Sequence, residues 1–598
     1  MFYLFRLFYS FLPLHNPIGF GAADFVEISL ALVLAGGALA WSKWAAATHR
    51  LASRTVLCMA ILAVLPVALR LAMLHTSPIP TPLGADDFSY LLLGDTLSHF
   101  RLTNPVHPMH RFFETFFILQ EPSYSSIYPL GPGLALAFGE LVFRQPWAGI
   151  AISTAAFTAA CYWMLRAWTT LGWALVGGIL AVIQFGPFSH WMNTYWGGAL
   201  AAAAGCLVFG AMPRLRDRWR TRDAILLGIG LAIHLLTRPF ESILLGFSVV
   251  LFFAPFIAKR RELLRAASIA ALIVLPALGL MLLHDKQVTG SWTTLPYALC
   301  RYQYGVPSTF TFQANPVPHN QLTREQQISY DVQSFVHGPG TDTIASFLER
   351  LAGRVRFYRF FFLPALYLAW PAFFWSLRDS MMRYVFFTLL IFFVGTNVYG
   401  YFYAHYVAGV TCLFLLVTVV SLEYLSRLKV GGHLVGPDAV RVILFLCGAH
   451  FLFWFGVQLA GNQEFARVLE EYQTWDEVNH GDLDGRLGVN RQLAQYPGKQ
   501  LVFVRYWPKH TLTEWAYNSA DIDRQSVVFA RDLGAGENEN LLAYYPDRTA
   551  WLLEPDARPP KLSPYQRRDA PPPQASPEEP KPASAPAKRP KLKFEEVK

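Results

Sequence analysis

The stretch Gly84-Ala85-Asp86-Asp87-Phe88-Ser89-Tyr90-Leu91-Leu92-Leu93-Gly94-Asp95-Thr96 begins about ten residues beyond an apolar segment, and a series of further apolar segments follows it. Two adjacent carboxylates thus open an amphipathic helix just outside a membrane span. Like charges so close raise at least one pKa. Membrane-proximal acids of this kind are more often functional than decorative. The pair reads as the head of an active site that opens on the outer face of a membrane.

The rest of the chain supports that setting. Of its 598 residues, 53% are hydrophobic and only 15% charged, against about 25% charged in soluble domains. Apolar segments of about 16 to 22 residues recur, so the expected fold is an all-α polytopic membrane bundle. The apolar runs are continuous and do not alternate, which argues against a β-barrel. The net charge of +9 comes from basic residues clustered in short loops, a topological pattern and not a nucleic-acid footprint. Cys58, Cys161, Cys206, Cys412 and Cys447 lie within apolar segments, and Cys300 lies in a long loop, where it should be the most accessible thiol. No cysteine spacing indicates a disulfide framework or a zinc site. Met1 to Leu14 reads as an interfacial helix, not as a cleaved signal peptide.

Spans are expected near 23–43, 55–74, 148–166, 171–188, 197–213, 224–238, 240–258, 266–283, 358–377, 384–400, 405–425 and 439–460, about twelve in all. Lys43, Arg50 and Arg54 place the first loop in the cytoplasm, so Asp86 and Asp87 are external. The basic loops at 214–222, 259–265, 378–383 and 427–429 share the cytoplasmic side only if 129–145, with Pro129, Gly131, Pro132 and Gly133, is re-entrant or interfacial. Residues 1–460 then form the membrane domain, with external loops 75–147 and 284–357. Residues 461–556 alternate strand-like runs (500–506, 526–530, 549–553) with helix-like ones such as Glu537 to Tyr545, which predicts a small external α/β domain able to fold alone. The Pro-, Lys- and Glu-rich stretch 557–598 is expected to be disordered.

Several clusters could carry chemistry. Either Asp86 or Asp87 can cap the helix, although capping explains one acid better than two. Asp95 and His99 share a face with Phe88 and Leu92 and could point into a cleft. Arg238 and Glu241, in Leu236-Thr237-Arg238-Pro239-Phe240-Glu241, form either a structural ion pair or a phosphate-holding site. Tyr195 and Trp196, in His190-Trp191-Met192-Asn193-Thr194-Tyr195-Trp196, read as an interface belt or as a platform for a sugar ring. His405, in Tyr401-Phe402-Tyr403-Ala404-His405-Tyr406, is a structural residue or a neutraliser of a leaving phosphate. Trp292 to Gly305, with Tyr297, Arg301 and Tyr304, reads as a substrate-contacting loop.

These residues carry a resemblance. Asp86-Asp87-Phe88-Ser89-Tyr90-Leu91-Leu92, Gly94-Asp95-Thr96 and Arg101-Leu102-Thr103-Asn104-Pro105 resemble the first external loop of bacterial GT-C glycosyltransferases of the type-39 mannosyltransferase-like superfamily. Protein O-mannosyltransferases and lipid A aminoarabinose transferases belong to that group. The resemblance continues through Tyr128-Pro129, Gly131, Tyr195-Trp196-Gly197-Gly198-Ala199 and Arg238-Pro239-Phe240-Glu241, and covers roughly residues 80–245. It implies a GT-C-like helical bundle in the bacterial inner membrane. It also implies transfer of a hexosyl or pentosyl group from a polyprenyl-phosphate donor to an acceptor hydroxyl on a glycan, lipid or protein, with inversion. The first acid of the family's pair maps to Asp86 as general base. The second, commonly Glu, is Asp87 here, one methylene shorter. The sequence requires no cofactor, and a divalent metal is compatible with it. The competing class is a lipid or glycan transporter or flippase, which would favour repeated halves and ionisable residues at mid-span.

Overall fold

The computed structural model describes residues 22–40, 50–82, 84–461, 485–510 and 513–566. The segment Met1 to Leu14 and the stretch after 566 lie outside these residues. The membrane part contains α1 (Ala22–Ala40), α2 (Thr55–Ala72), α3 (Ala85–Ser98), α4 (Leu130–Phe143), α5 (Trp147–Leu165), α6 (Leu171–Phe185), α7 (Gly198–Arg218), α8 (Thr221–Thr237), α9 (Pro239–Phe253) and α10 (Arg260–Thr289). A less apolar excursion follows, with α11 (Pro296–Tyr304), α12 (Arg324–His337) and α13 (Ile344–Arg354). The chain then returns through α14 (Ser380–Gly395), α15 (Thr411–Leu425) and α16 (Gly436–Ala460).

This is an integral membrane protein. Among the described residues, seven helical stretches are long and apolar enough to cross a bilayer, and one of them, Pro239–Thr289, holds both α9 and α10. The expected count of about twelve is not reached by length. The segment 358–377 is the clearest departure. It is no continuous α-helix but a chain of 3₁₀ turns, Val355–Phe361, Pro364–Leu368 and Trp370–Ala372, before a single α-turn at Phe373–Ser376. Pro364 and Pro371 each remove a backbone donor and clash with the preceding turn, so an α-ladder cannot pass. Helix α6 has only 15 residues and α4 only 14. At 1.5 Å per residue α4 is about 21 Å long, short of the ~30 Å hydrocarbon core. It packs along α3.

Burial separates the centre of the bundle from its rim. The stretch Ala404–Leu425 is 89% buried in its apolar window, whereas Pro239–Thr289 is 17% buried and turns Ile243, Phe247 and Val250 outward.

The carboxy-terminal unit is a four-stranded sheet in the order β2-β1-β3-β4, built from β1 (Lys499–Val504), β2 (Val527–Arg531), β3 (Arg548–Glu554) and β4 (Lys561–Pro564). The pairs β1–β2 and β1–β3 are parallel, and β3–β4 is antiparallel. Helices α17 (Arg486–Leu493) and α18 (Ala535–Tyr544) accompany it. Strand β4 lies within the stretch 557–598 read as disordered, because Lys561–Pro564 pairs with Trp551–Glu554 and closes the sheet edge. The sheet is also less separate than the sequence suggested. Leu501, Phe503, Tyr517 and Leu541 share one core with Ala85, Leu92, Phe112 and Phe116 of the long segment between α2 and α4. The opposite face of the sheet has a core of the unit's own residues, among them Val489, Val502, Trp515 and Trp551, so the unit depends on that segment for one of its two faces.

Candidate functional site

Gly84 precedes α3 in an extended conformation, and both acids fall in the first helical turn. Their side chains diverge. Asp87 is 5% exposed and accepts a hydrogen bond from the Tyr195 backbone N–H at 3.0 Å. Tyr195 in turn donates its hydroxyl to the Pro80 carbonyl at 2.8 Å. This acid therefore ties the start of α3 to the loop before α7. Asp86 is partly accessible and accepts a short hydrogen bond from the Tyr128 hydroxyl. Burial raises the Asp86 carboxyl above the usual carboxylate range, while the Tyr128 hydroxyl and the charges of Arg238 and His190 pull it back.

Tyr128 arrives beside Asp86 through the packing of α4. The Tyr128 ring stacks on Tyr90, one turn along α3 from Asp86, with centroids 4.0 Å apart. Three residues on, a Cβ at Gly131 would sit 2.4 Å from Thr237 Oγ1 and 2.9 Å from the Leu236 carbonyl. Only glycine admits this approach, and it sets the α8–α9 junction against the start of α4. Gly197 does the same from the other side: it has φ +72°, and a side chain there would meet Pro132 at 2.7 Å. The Tyr-Pro and Trp-Gly-Gly motifs of the sequence are thus the two sides of one contact.

The junction presents Arg238, the residue between α8 and α9. Its Nε and Nη2 are buried and have no hydrogen-bond partner among the described residues. Its guanidinium lies 5.3 Å from the Tyr406 ring centroid. Asp86, Tyr90, Tyr297, Tyr399, Tyr406 and Glu241 are its electrostatic neighbours. Leaving a buried charged donor unpaired costs about 1–3 kcal/mol or more, a cost that a bound anion removes. Further unpartnered polar atoms lie close by. Among the described residues, His405 Nδ1 and Trp196 Nε1 are buried without partners, and the two rings meet edge-on at 5.2 Å. His190 packs against Trp196 at 4.7 Å.

The structure therefore brings Asp86, Arg238, Glu241, Tyr297, Trp196 and His405 to one neighbourhood, with Asp87 and Tyr195 one layer behind. Glu241 is 3% exposed and hydrogen-bonds with Tyr399 as well as facing Arg238. Arg301 lies over the Tyr297 ring at 5.3 Å and donates to the Pro307 carbonyl at 3.2 Å, so it braces Tyr297. Tyr297, Arg301 and Tyr304 sit on helix α11, not on a loop. Tyr304 turns away into the core beside Val288 and Cys300. Cys300 is 1% exposed, which overturns its expected accessibility: the helical turn points it inward. Asp95 is likewise not at the site. Its carboxylate accepts from the Ala520 N–H at 2.7 Å, because the Phe88–Leu92–Asp95 face of α3 meets the sheet unit.

Tyr128, Tyr90, Tyr406 and His190 are the site residues that sequence reasoning did not select, although Tyr90, four residues after Asp86, shares its helix face. Another is Arg70, fully buried, which donates to Asn193 Oδ1 at 3.0 Å and to the Ser77 and Pro78 carbonyls, anchoring both loops that flank the site. No group of three or more His, Cys, Asp or Glu side chains able to hold a metal is found among the described residues. Asp86 faces the Arg238 guanidinium. A cavity of about 620 Å³ lies elsewhere, between Pro108–Phe112 and α18, and none of the predicted site residues lines it.

No family model matches the chain, and no curated protein sequence matches it significantly. Among solved structures it is similar to ArnT from Cupriavidus metallidurans in the apo state, with 13% identity, 82% of this chain and 92% of that chain covered, and a TM-score of 0.47. ArnT from the same organism bound to undecaprenyl phosphate gives 12% identity, the same coverages and a TM-score of 0.45. The archaeal oligosaccharyltransferase AglB from Archaeoglobus fulgidus, in complex with an inhibitory peptide and a dolichol-phosphate, gives 13% identity over 84% of this chain and 69% of that one, with a TM-score of 0.37.

Proposed function

We propose that this protein transfers a sugar from a polyprenyl-phosphate donor to an acceptor hydroxyl on a glycan, lipid or protein, at the external face of the bacterial inner membrane. The observation that carries this reading is the pairing, in one buried neighbourhood, of a raised carboxylate at Asp86 with Arg238, whose Nε and Nη2 lack partners among the described residues. A hydroxyl is a weak nucleophile, and Asp86 takes its proton as it attacks the anomeric carbon. The bond from that carbon to the phosphate oxygen breaks on the opposite face, so configuration inverts. The polyprenyl phosphate leaves as an anion, and Arg238 can meet it with two parallel hydrogen bonds. His405 and Trp196 add donors at the same mouth. Asp87 orients the helix and Glu241 holds Arg238. The lipid tail stays in the bilayer, which suits a site at the junction of α8 and α9.

The test is a transfer assay with purified protein, a panel of polyprenyl-phosphate hexoses and pentoses, and glycan, lipid and peptide acceptors. Asp86→Asn should abolish turnover with normal membrane insertion. Arg238→Lys should lose about 2–4 kcal/mol of transition-state stabilisation, about 30- to 1,000-fold in rate. Wild-type turnover in Asp86→Asn would remove the base assignment. Unchanged donor kinetics in folded Arg238→Lys and Glu241→Ala would return that pair to a structural role.

A further inference from the structure

Helix α3 has two working faces. Residues two apart on an α-helix point about 200° from each other, so Asp86 and Phe88 look in opposite directions. Asp86, Tyr90 and Leu93 face the membrane bundle, where Tyr90 stacks on Tyr128 and Leu93 meets Gly133. Phe88, Leu92 and Asp95 face the carboxy-terminal sheet. There the Tyr517 ring stacks on Phe88 with centroids 4.2 Å apart and planes 6° from parallel. The Arg486 guanidinium lies 4.4 Å from the Phe88 ring centroid and 4.6 Å from that of Trp515.

The same segment grips the stretch 116–126 that leads to Tyr128. The Tyr517 hydroxyl donates to the Phe116 carbonyl at 3.0 Å, and the Tyr124 hydroxyl donates to the Asn518 carbonyl at 3.0 Å. Between these points Ser89 Oγ of α3 donates to the Phe117 carbonyl at 2.6 Å. Tyr517 therefore touches both elements whose separation fixes the Tyr128–Asp86 contact. It is 6% exposed and lies within electrostatic reach of Asp86.

We infer that the carboxy-terminal sheet unit backs the helix that carries Asp86, and that Tyr517 is its positioning residue, holding Phe88 and the turn at Phe116 so that Asp86 and Tyr128 stay in register. This rests on Asp86 being the base. A misplacement of about 1 Å in such a group costs on the order of 100-fold in rate.

The experiment compares wild type, Tyr517→Phe, Tyr517→Leu, Phe88→Leu and Asp86→Asn as full-length protein, with a polyprenyl-phosphate sugar of the panel as donor. Initial rates are read together with deuterium uptake of the peptide covering residues 84–98. Tyr517→Leu should lower kcat about 10- to 100-fold at unchanged donor KM and raise uptake in that peptide. Tyr517→Phe keeps the stack and should recover most of both, while Phe88→Leu should reproduce the loss from the helix side if Tyr517→Leu folds poorly. Wild-type kcat and uptake in folded Tyr517→Leu and Phe88→Leu would overturn the inference. Turnover by Asp86→Asn would remove the base instead, and the uptake readout would still decide whether Tyr517 orders α3.

Discussion

Replacing Tyr128 with Phe isolates one atom of the site. The ring can keep its 4.0 Å stack on Tyr90, so the packing of α3 on α4 survives. What goes is the hydroxyl that donates to Asp86. A hydrogen bond to a charged group is worth about 1.5–3 kcal/mol net, and 1.36 kcal/mol is about one pKa unit. The bond favours the ionised carboxylate, so its loss must raise the Asp86 pKa, which burial already holds high. The bare arithmetic gives about one to two units; Asp86 is partly accessible, and a water can replace some of the bond, so about one unit is expected. A general base works only when ionised. The acidic limb of kcat/KM against pH should therefore move to higher pH by about one unit, with activity recovering at alkaline pH. An unmoved limb in folded Tyr128→Phe, with rate lost equally at every pH, would refute the assignment of Asp86 as the titrating base.

The helices of the bundle were legible where hydropathy speaks alone. Thr55–Ala72 and Trp147–Leu165 fall within a residue or two of the expected 55–74 and 148–166. The segment 358–377 defeated that reading because its composition is apolar while Pro364 and Pro371 forbid the ladder; window averages do not see a missing N–H. The acids were legible as a pair because two like charges beside a membrane are costly. Their separate roles were not, since the division depends on Tyr195 and Tyr128, over 100 and about 40 residues away. Asp95 was misplaced for a related reason. The spacing correctly put it on the Phe88–Leu92 face, but periodicity says which residues share a face and not what covers it. The cover is Ala520, 425 residues on. The buried contacts of Arg531 with Glu514 and Glu325 were equally invisible, as each member looks like a solvated charge in its own stretch.

Gly131→Ala adds one methyl 2.4 Å from Thr237 Oγ1 and should shift the α8–α9 junction, lowering transfer at least tenfold (~1.4 kcal/mol) in protein that still inserts; a normal rate would show that the junction is free to move. Cys300 should react with maleimide only after denaturation, as should the other five cysteines, all of them buried; rapid labelling of intact protein would contradict the packing of α11. Asp87→Asn should cost less transfer than Asp86→Asn, since an amide oxygen can still accept from the Tyr195 N–H, and equal losses in the two variants would argue against their division of roles. A buried ion cluster also holds the sheet unit. Arg531 donates to Glu514 Oε2 at 2.9 Å and to Glu325 of α12, and all three side chains are buried. Arg531→Met leaves two carboxylates without their cation, and breaking a buried pair in this way costs about 3–5 kcal/mol. Much of that cost is the stranded charge itself, so it should be recoverable. Arg531→Met combined with Glu514→Gln and Glu325→Gln removes the charges together and should regain most of the thermal midpoint lost by Arg531→Met alone. A triple variant no more stable than the single one would mean that Arg531 holds the sheet mainly by packing, through its ring contact to Tyr506 at 5.5 Å.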